Sequence, residues 1–301
     1  MTTSSNNIPE NPVLKPPITI SQQIELLESR GMIIDDHSLA GAYLQENHYY
    51  HLNIYFHKFM QSNCDNFLPG TNFSDIINAN TNDSWLRREL SLLLEPLEIK
   101  LRSFLAYYLA IEYGSDVFYN RSVFNEKNHY DRLQNNISND LRKRQRDPVI
   151  IHHKNKYDGK FPIWVIIEFF SFNQASKLFS SLKTSDQKNI TNTYFNGLNE
   201  DFLGNWFHAL SVLRNICAHF GYLYKRKHNP KLRLMPDFNW DKNKNDELFA
   251  YVLILCRLSN NKIRDKFINN LTEKTSMVTC FSLKDYGFPS NWQEYFSNYP
   301  S

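Results

Sequence analysis

Glycine is scarce in this chain of 301 residues, with only nine in all. So few argue against a β-rich fold built on many tight turns. No G-x-x-x-x-G-K or G-x-G-x-x-G pattern occurs, which excludes phosphate-cradling loops of those kinds. Cysteine is also sparse. Cys64, Cys217, Cys256 and Cys280 lie far apart with no C-x-x-C pair, so neither a zinc knuckle nor a disulfide framework can be read. The expectation for metals and cofactors is none. A net charge of +3 says little about partners, so the distribution of charge matters more. The first seventeen residues are polar and Pro-rich with no apolar segment of the secretory kind. The longest apolar run, Phe161 to Phe172, is too short for a bilayer and carries Glu168. These absences predict a cytoplasmic protein with no membrane span.

Aromatic and aliphatic mass is abundant: 42% of residues are hydrophobic, with 22 Phe and 17 Tyr, enough for a substantial core. The apolar spacing predicts an all-α protein. Residues 1–17 read as a flexible tail and 18–80 as an N-terminal helical subdomain. In the latter, Thr19 or Ser21 caps a helix ending near Gly31, a second helix starts at Asp36, and HYYHLNIYFHKF (48–59) reads as helix. After a short element near residues 75–78, the strongest helical signal runs from a capping Ser84 to Tyr113, with Pro96 predicted to kink it. On this helix Glu98 and Arg102 stand four apart. They read either as a surface pair worth a few tenths of a kcal/mol or as a buried, functional pair. Further helices are predicted at 128–145, from Pro162 to about 182, at about 199–224 and at 246–269. The segment after 275 reads as irregular.

Two basic runs stand out. RKRQR (142–146) contains Arg142, Lys143 and Arg144, and is followed by HHKNKYDGK (152–160), read as loop. KRKHNPKLR (225–233) contains Lys225, Arg226 and Lys227, with no acid of its own. Such runs are usually solvated faces, yet they also suit an RNA backbone.

The segment Arg214-Asn215-Ile216-Cys217-Ala218-His219 places polar groups in an apolar helix. At about 100° per residue, Phe207, Leu210, Leu213, Cys217 and Phe220 follow the apolar rhythm. His208, Ser211, Asn215, His219 and Tyr222 form a displaced polar stripe. Arg214 approaches His219 only through the length of its side chain. Arg supplies a permanent planar cation for phosphate, and His a proton donor or acceptor near neutrality. Asn215 can orient either group. Together they suit RNA cleavage by attack of a 2′-OH on the adjacent phosphate, which needs a base, an acid and charge stabilisation but no metal. One His cannot easily serve as both base and acid, which points to two motifs meeting in a dimer. A lone His on a mixed helix is, however, more often structural.

LRNICAHFGYLYKR resembles the signature of the Abi-like (abortive infection) proteins of bacteria, close to LRNxCAHHxRLWNR. Residues 16–36, the stretch around 48–59, residues 85–110 and residues 161–179 resemble further blocks of that family in the same order. The resemblance implies membership of the HEPN superfamily, whose R-x(4–6)-H motif marks metal-independent RNases acting as dimers. It also implies a HEPN-like bundle, read over 81–275, before the segment at 276–301 that reads as irregular. Arg214 and His219 fall on the two defining positions and Asn215 on their polar neighbour. Glu98 and Arg102 fall on charged positions of the first bundle helix, with Tyr222 supporting. The implied function is phage defence by a toxin-type endoribonuclease, partnered by RNA, a second copy, and an RNA or protein antitoxin. Two departures stand out: Phe220 replaces the usual second histidine, and YLYKR replaces RLWNR. Two other readings fit the same residues. One is a non-catalytic RNA-binding protein held on a structured small RNA, and the other a structural fold whose polar stripe pairs subunits.

Overall fold

The computed structural model describes residues 14–125, 129–238 and 240–297. The expected tail at 1–17 therefore lies largely outside the described residues. Among them the chain is all-α, with isolated β-bridges but no strand. It divides into two compact units, residues 1–80 and 81–301.

In the first unit, α1 (Ile20–Ser29) opens with a capping box. The Thr19 hydroxyl accepts from the Gln22 N–H, and the Gln22 side chain returns to the Thr19 N–H at 2.8 Å. It ends where expected: Gly31 sits at φ +87°, and the Met32 N–H donates to the Leu27 carbonyl at 3.1 Å. Asp36 caps α2 (His37–Asn47), and α3 (Tyr49–Phe56) follows. Their core is Leu27, Ala40, Leu44, Leu52, Tyr55 and Phe56, all nearly inaccessible to solvent.

The longest helix, α4 (Phe73–Tyr113), begins eleven residues before the expected cap and absorbs the short element predicted near 75–78. Ser84 is interior to it. Residues 73–83 are too polar to show an apolar period, yet Phe73, Ile76 and Ala79 are buried. The helix continues past Pro96 to Tyr113.

The second unit packs α5 (His129–Lys143), α6 (Pro148–Tyr157), α7 (Ile163–Ile166), α8 (Phe172–Ser181), α9 (Thr184–Tyr194), α10 (Glu200–Ala218), α11 (Leu248–Leu258), α12 (Asn261–Met277) and α13 (Glu294–Ser297) with the rest of α4. Three expectations are corrected here. The basic stretch read as loop at 152–160 mostly forms α6, because Asp147 caps it and Pro148 takes the first turn, where a missing N–H costs nothing. The predicted helix from 162 to 182 is broken after Phe169, and Ser171 with Gln174 forms a new capping box for α8. The single helix expected at 246–269 is two, since the Asn260 side chain accepts from the Ile263 N–H and starts α12. All of α11 except Arg257 is buried, the pattern of a helix surrounded on every side. The segment after Met277 buries Phe281, Phe288, Trp292 and Phe296, with the Phe288 ring 4.7 Å from that of Phe249 on α11.

Candidate functional site

The site is built on α4 and the C-terminal end of α10. Asn199 caps α10, accepting from the Asp201 N–H at 2.9 Å, and Leu203, Trp206, Phe207, Leu210 and Leu213 bury its apolar face. The expected helix through 224 is corrected: α10 ends at Ala218 with His219 as its C-cap, its N–H donating to the Asn215 carbonyl at 3.0 Å. Tyr222 therefore leaves the helical stripe. Ser211, another member, is fully buried. Asn215 and His219 stay exposed and one turn apart.

What stops the helix is Phe220, at φ +58° in the left-handed region. The Gly221 N–H then closes the turn on the Ile216 carbonyl at 2.8 Å. A glycine would normally hold that position, since a Cβ there costs about 1–2 kcal/mol. Here Gly221 comes one residue late, and the Phe220 side chain is 71% exposed. The strain has no compensating burial.

Sequence reasoning missed the residues that hold this turn. Asp83 on α4 is fully buried, and its carboxylate accepts the Leu223 N–H at 2.6 Å. Arg87, one turn on and also buried, donates to the Gly221 carbonyl at 3.0 Å, with its guanidinium 3.8 Å from Asp83. An i,i+4 Asp–Arg pair on one helix face is the only signal the sequence carried.

Arg214 does not swing toward His219, as its length had suggested. Its Nε donates to the Glu98 carboxylate at 3.0 Å, across 116 residues of sequence. Glu98 is buried and acceptor-only, so it fixes the plane of the guanidinium. Both terminal nitrogens of Arg214 lack a partner among the described residues, which leaves the bidentate edge that suits a phosphate. Arg102 makes no surface pair with Glu98. It donates to the Glu168 and Phe170 carbonyls at 3.2 and 3.4 Å, pinning the break before α8. Glu98, Arg102 and Arg214 line one cavity of about 330 Å³, with Ala218 also in its wall. The His219 ring makes no hydrogen bond among the described residues and does not line that cavity.

The other expected residues are spread over the second unit. Tyr222 lies under Arg226, the guanidinium 4.6 Å from its ring centre. The loop at 225–233 has no acid of its own, but acids come to it. Lys227 reaches Asp246 and Glu247 at 3.3 and 2.8 Å, Lys231 reaches Asp246 at 3.1 Å, and Lys225 reaches Asp285 at 3.8 Å. Trp206 anchors the loop through its indole N–H to the Arg233 carbonyl at 2.7 Å. By contrast Arg142, Lys143 and Arg144 are exposed at the end of α5. Lys143 stands 3.7 Å from Asp140, and Arg144 lies over the Phe169 ring.

Burial pushes the Cys217 thiol up to about 12, so the cysteine inside the motif behaves as an apolar core group rather than a nucleophile. Among the described residues no cluster of three or more His, Cys, Asp or Glu is placed to hold a metal ion. No described helix is long and apolar enough to cross a membrane.

No curated protein and no solved structure matches this chain. The family model for the Abi-like protein matches residues 42–225, more than half of the chain, including α10 and all of α4's charged positions. The chain belongs to the family of Abi-like proteins.

Proposed function

We propose that this chain is a toxin-type endoribonuclease of abortive infection, of the HEPN kind, acting on RNA through Arg214 and His219 as a homodimer. The observation that carries the reading is the Glu98–Arg214 pair. A buried carboxylate clamps one edge of a guanidinium and leaves the other free, in a cavity at the end of the helix that also presents His219.

In the reaction, a base takes the proton of a ribose 2′-OH, and the oxygen attacks the adjacent phosphorus. Arg214 stabilises the extra negative charge as the phosphorane forms. The P–O5′ bond breaks, an acid protonates the leaving oxygen, and a 2′,3′-cyclic phosphate remains. His219 is suited to one of the two proton transfers. Its counterpart on a second copy would perform the other, because no imidazole, that of His219 included, lines the cavity of Arg214 within one copy. Asn215, exposed one turn before His219, would orient the imidazole or bind a phosphate oxygen. Glu98 holds Arg214 and is a positioning residue. The RNA-binding role proposed for Arg142, Lys143 and Arg144 draws support from their exposure. For Lys225 and Lys227 it requires phosphates to displace the carboxylates of Asp285, Asp246 and Glu247, and for Arg226 to draw the guanidinium from the Tyr222 ring.

Purified His219→Ala with an unchanged helical signal should lose RNA cleavage and toxicity in cells. Full activity in that variant would overturn the catalytic assignment.

A second reading has one specific observation in its favour: Arg214 and His219 are turned apart within the chain. In that case the protein binds a structured small RNA without cutting it. Its affinity would fall with salt, track the exposed cations of residues 142–146, and survive His219→Ala.

A further inference from the structure

Helix α4 carries a second cavity on a different face. Lys100 stands two residues from both Glu98 and Arg102, about 200° around the axis from each. It opens into a cavity of about 350 Å³ that α11 and α12 complete with Arg257 and Arg264. Three cations therefore surround this space, together with Tyr194, Ser259 and Asn261 in the first turn of α12. Among the described residues no carboxylate lines it. The cations are not interchangeable. Arg264 Nε is 3.1 Å from Asp265, and Arg257 lies over the Phe238 ring. Lys100 has its ammonium 5.1 and 5.6 Å from the ring centres of Phe195 and Phe104, and no salt bridge among the described residues. Burial holds its pKa below the usual lysine value, and no neighbouring acid pulls it back. A half-buried ammonium with no carboxylate partner, in a cavity that two guanidiniums also line, is favoured by a negative group entering that space. The volume exceeds what a chloride needs and matches a small phosphorylated molecule.

We infer that the cavity formed by Lys100, Arg257 and Arg264 binds a phosphate group carried by a nucleotide or by an RNA strand. This site is separate from that of Arg214 and His219, and does not rest on the nuclease reading. Of the elements that line them, the two cavities share only α4.

Isothermal titration of the full-length protein with inorganic phosphate, with adenosine monophosphate and with a short RNA tests the inference. At least one of the three should bind. In Asn261→Asp, a carboxylate enters the cavity at a position where it favours the helix N-terminus, so the fold is kept and affinity should drop at least tenfold. Lys100→Met, which keeps the stem on Phe104 and Phe195, should act in the same direction. Loss of phosphate or nucleotide binding with RNA affinity unchanged identifies a free ligand. Parallel loss of RNA affinity identifies the phosphate as the strand's own. Absence of binding for all three probes at millimolar concentration, or binding unchanged in Asn261→Asp, would overturn the inference. Lys100 and Asn261 line this cavity and not the one of Arg214, so a loss in their variants is read independently of the nuclease test.

Discussion

Replacing Arg87 with methionine tests how the turn bearing His219 is held. The substitution keeps most of the side-chain stem and removes two interactions at once. One is the hydrogen bond to the Gly221 carbonyl at 3.0 Å, of the charge-assisted kind worth about 1.5–3 kcal/mol. The other is the cation beside Asp83, whose carboxylate has no exposed surface. Removing one partner of a buried pair costs about 3–5 kcal/mol, because the remaining charge is stranded. The 3.8 Å separation is loose for an ion pair, so the lower part of that range, about 3 kcal/mol, is expected. For a unit of this size 1 kcal/mol moves the melting temperature by about 2–4 °C, which gives a fall of about 6–12 °C. Thermal unfolding followed by circular dichroism reads this directly. The double variant Asp83→Asn, Arg87→Met should recover part of the loss, since the stranded charge is gone and the side chain still accepts from Leu223. A fall of less than 2 °C in Arg87→Met, or a double variant worse than the sum of the singles, would refute the reasoning.

Three further outcomes follow from particular residues. Phe220→Gly relieves a left-handed residue with no buried side chain, so it should stabilise the protein by about 1 kcal/mol, read as a rise of a few degrees in melting temperature. His228 is buried, both ring nitrogens lack a hydrogen-bond partner, and burial with the nearby Arg226 lowers its pKa to about 4. In the unfolded chain it titrates near 6.5, so the unfolded state takes up a proton first as pH falls. Stability is therefore complete above about pH 6.5 and declines toward pH 4 by about 3 kcal/mol; denaturant titrations should show His228→Leu losing this part of the acid sensitivity. If RNA binds, Arg142→Ala should reduce the slope of log affinity against log salt by about one, and Lys227→Ala by clearly less, because Lys227 already faces Asp246 and Glu247.

These residues also show what the sequence disclosed and what it did not. The start of α1 at Thr19, one of two candidate caps with Ser21, the start of α2 near Asp36 and the stop at Gly31 were legible because each is decided within four residues. The start of α4 was not, since residues 73–83 offer polar side chains to a reader and buried faces only to neighbouring helices. The break before α8 was hidden by the largely apolar run from Phe161 to Phe172, although Ser171 and Gln174 had the spacing of a capping box. At the candidate site, Arg214, Glu98 and Arg102 were each singled out, yet their convergence on one cavity depends on contacts 66 to 116 residues apart. The acids that face Lys225, Lys227 and Lys231 lie 15 to 60 positions downstream, so the run looked uncompensated. Asp83 and Arg87 carry no signal beyond their i,i+4 spacing, and only the packing of the 221–223 turn on α4 makes them matter.

The central claim is that Arg214 and His219 cleave RNA without a metal. The direct measurement is incubation of the purified protein with end-labelled RNA in excess EDTA, followed by analysis of the new ends. The account predicts fragments with 2′,3′-cyclic phosphates, formed at an undiminished rate in EDTA and absent with Arg214→Ala. Intact RNA with the wild-type protein, or cleavage that EDTA abolishes, would contradict it.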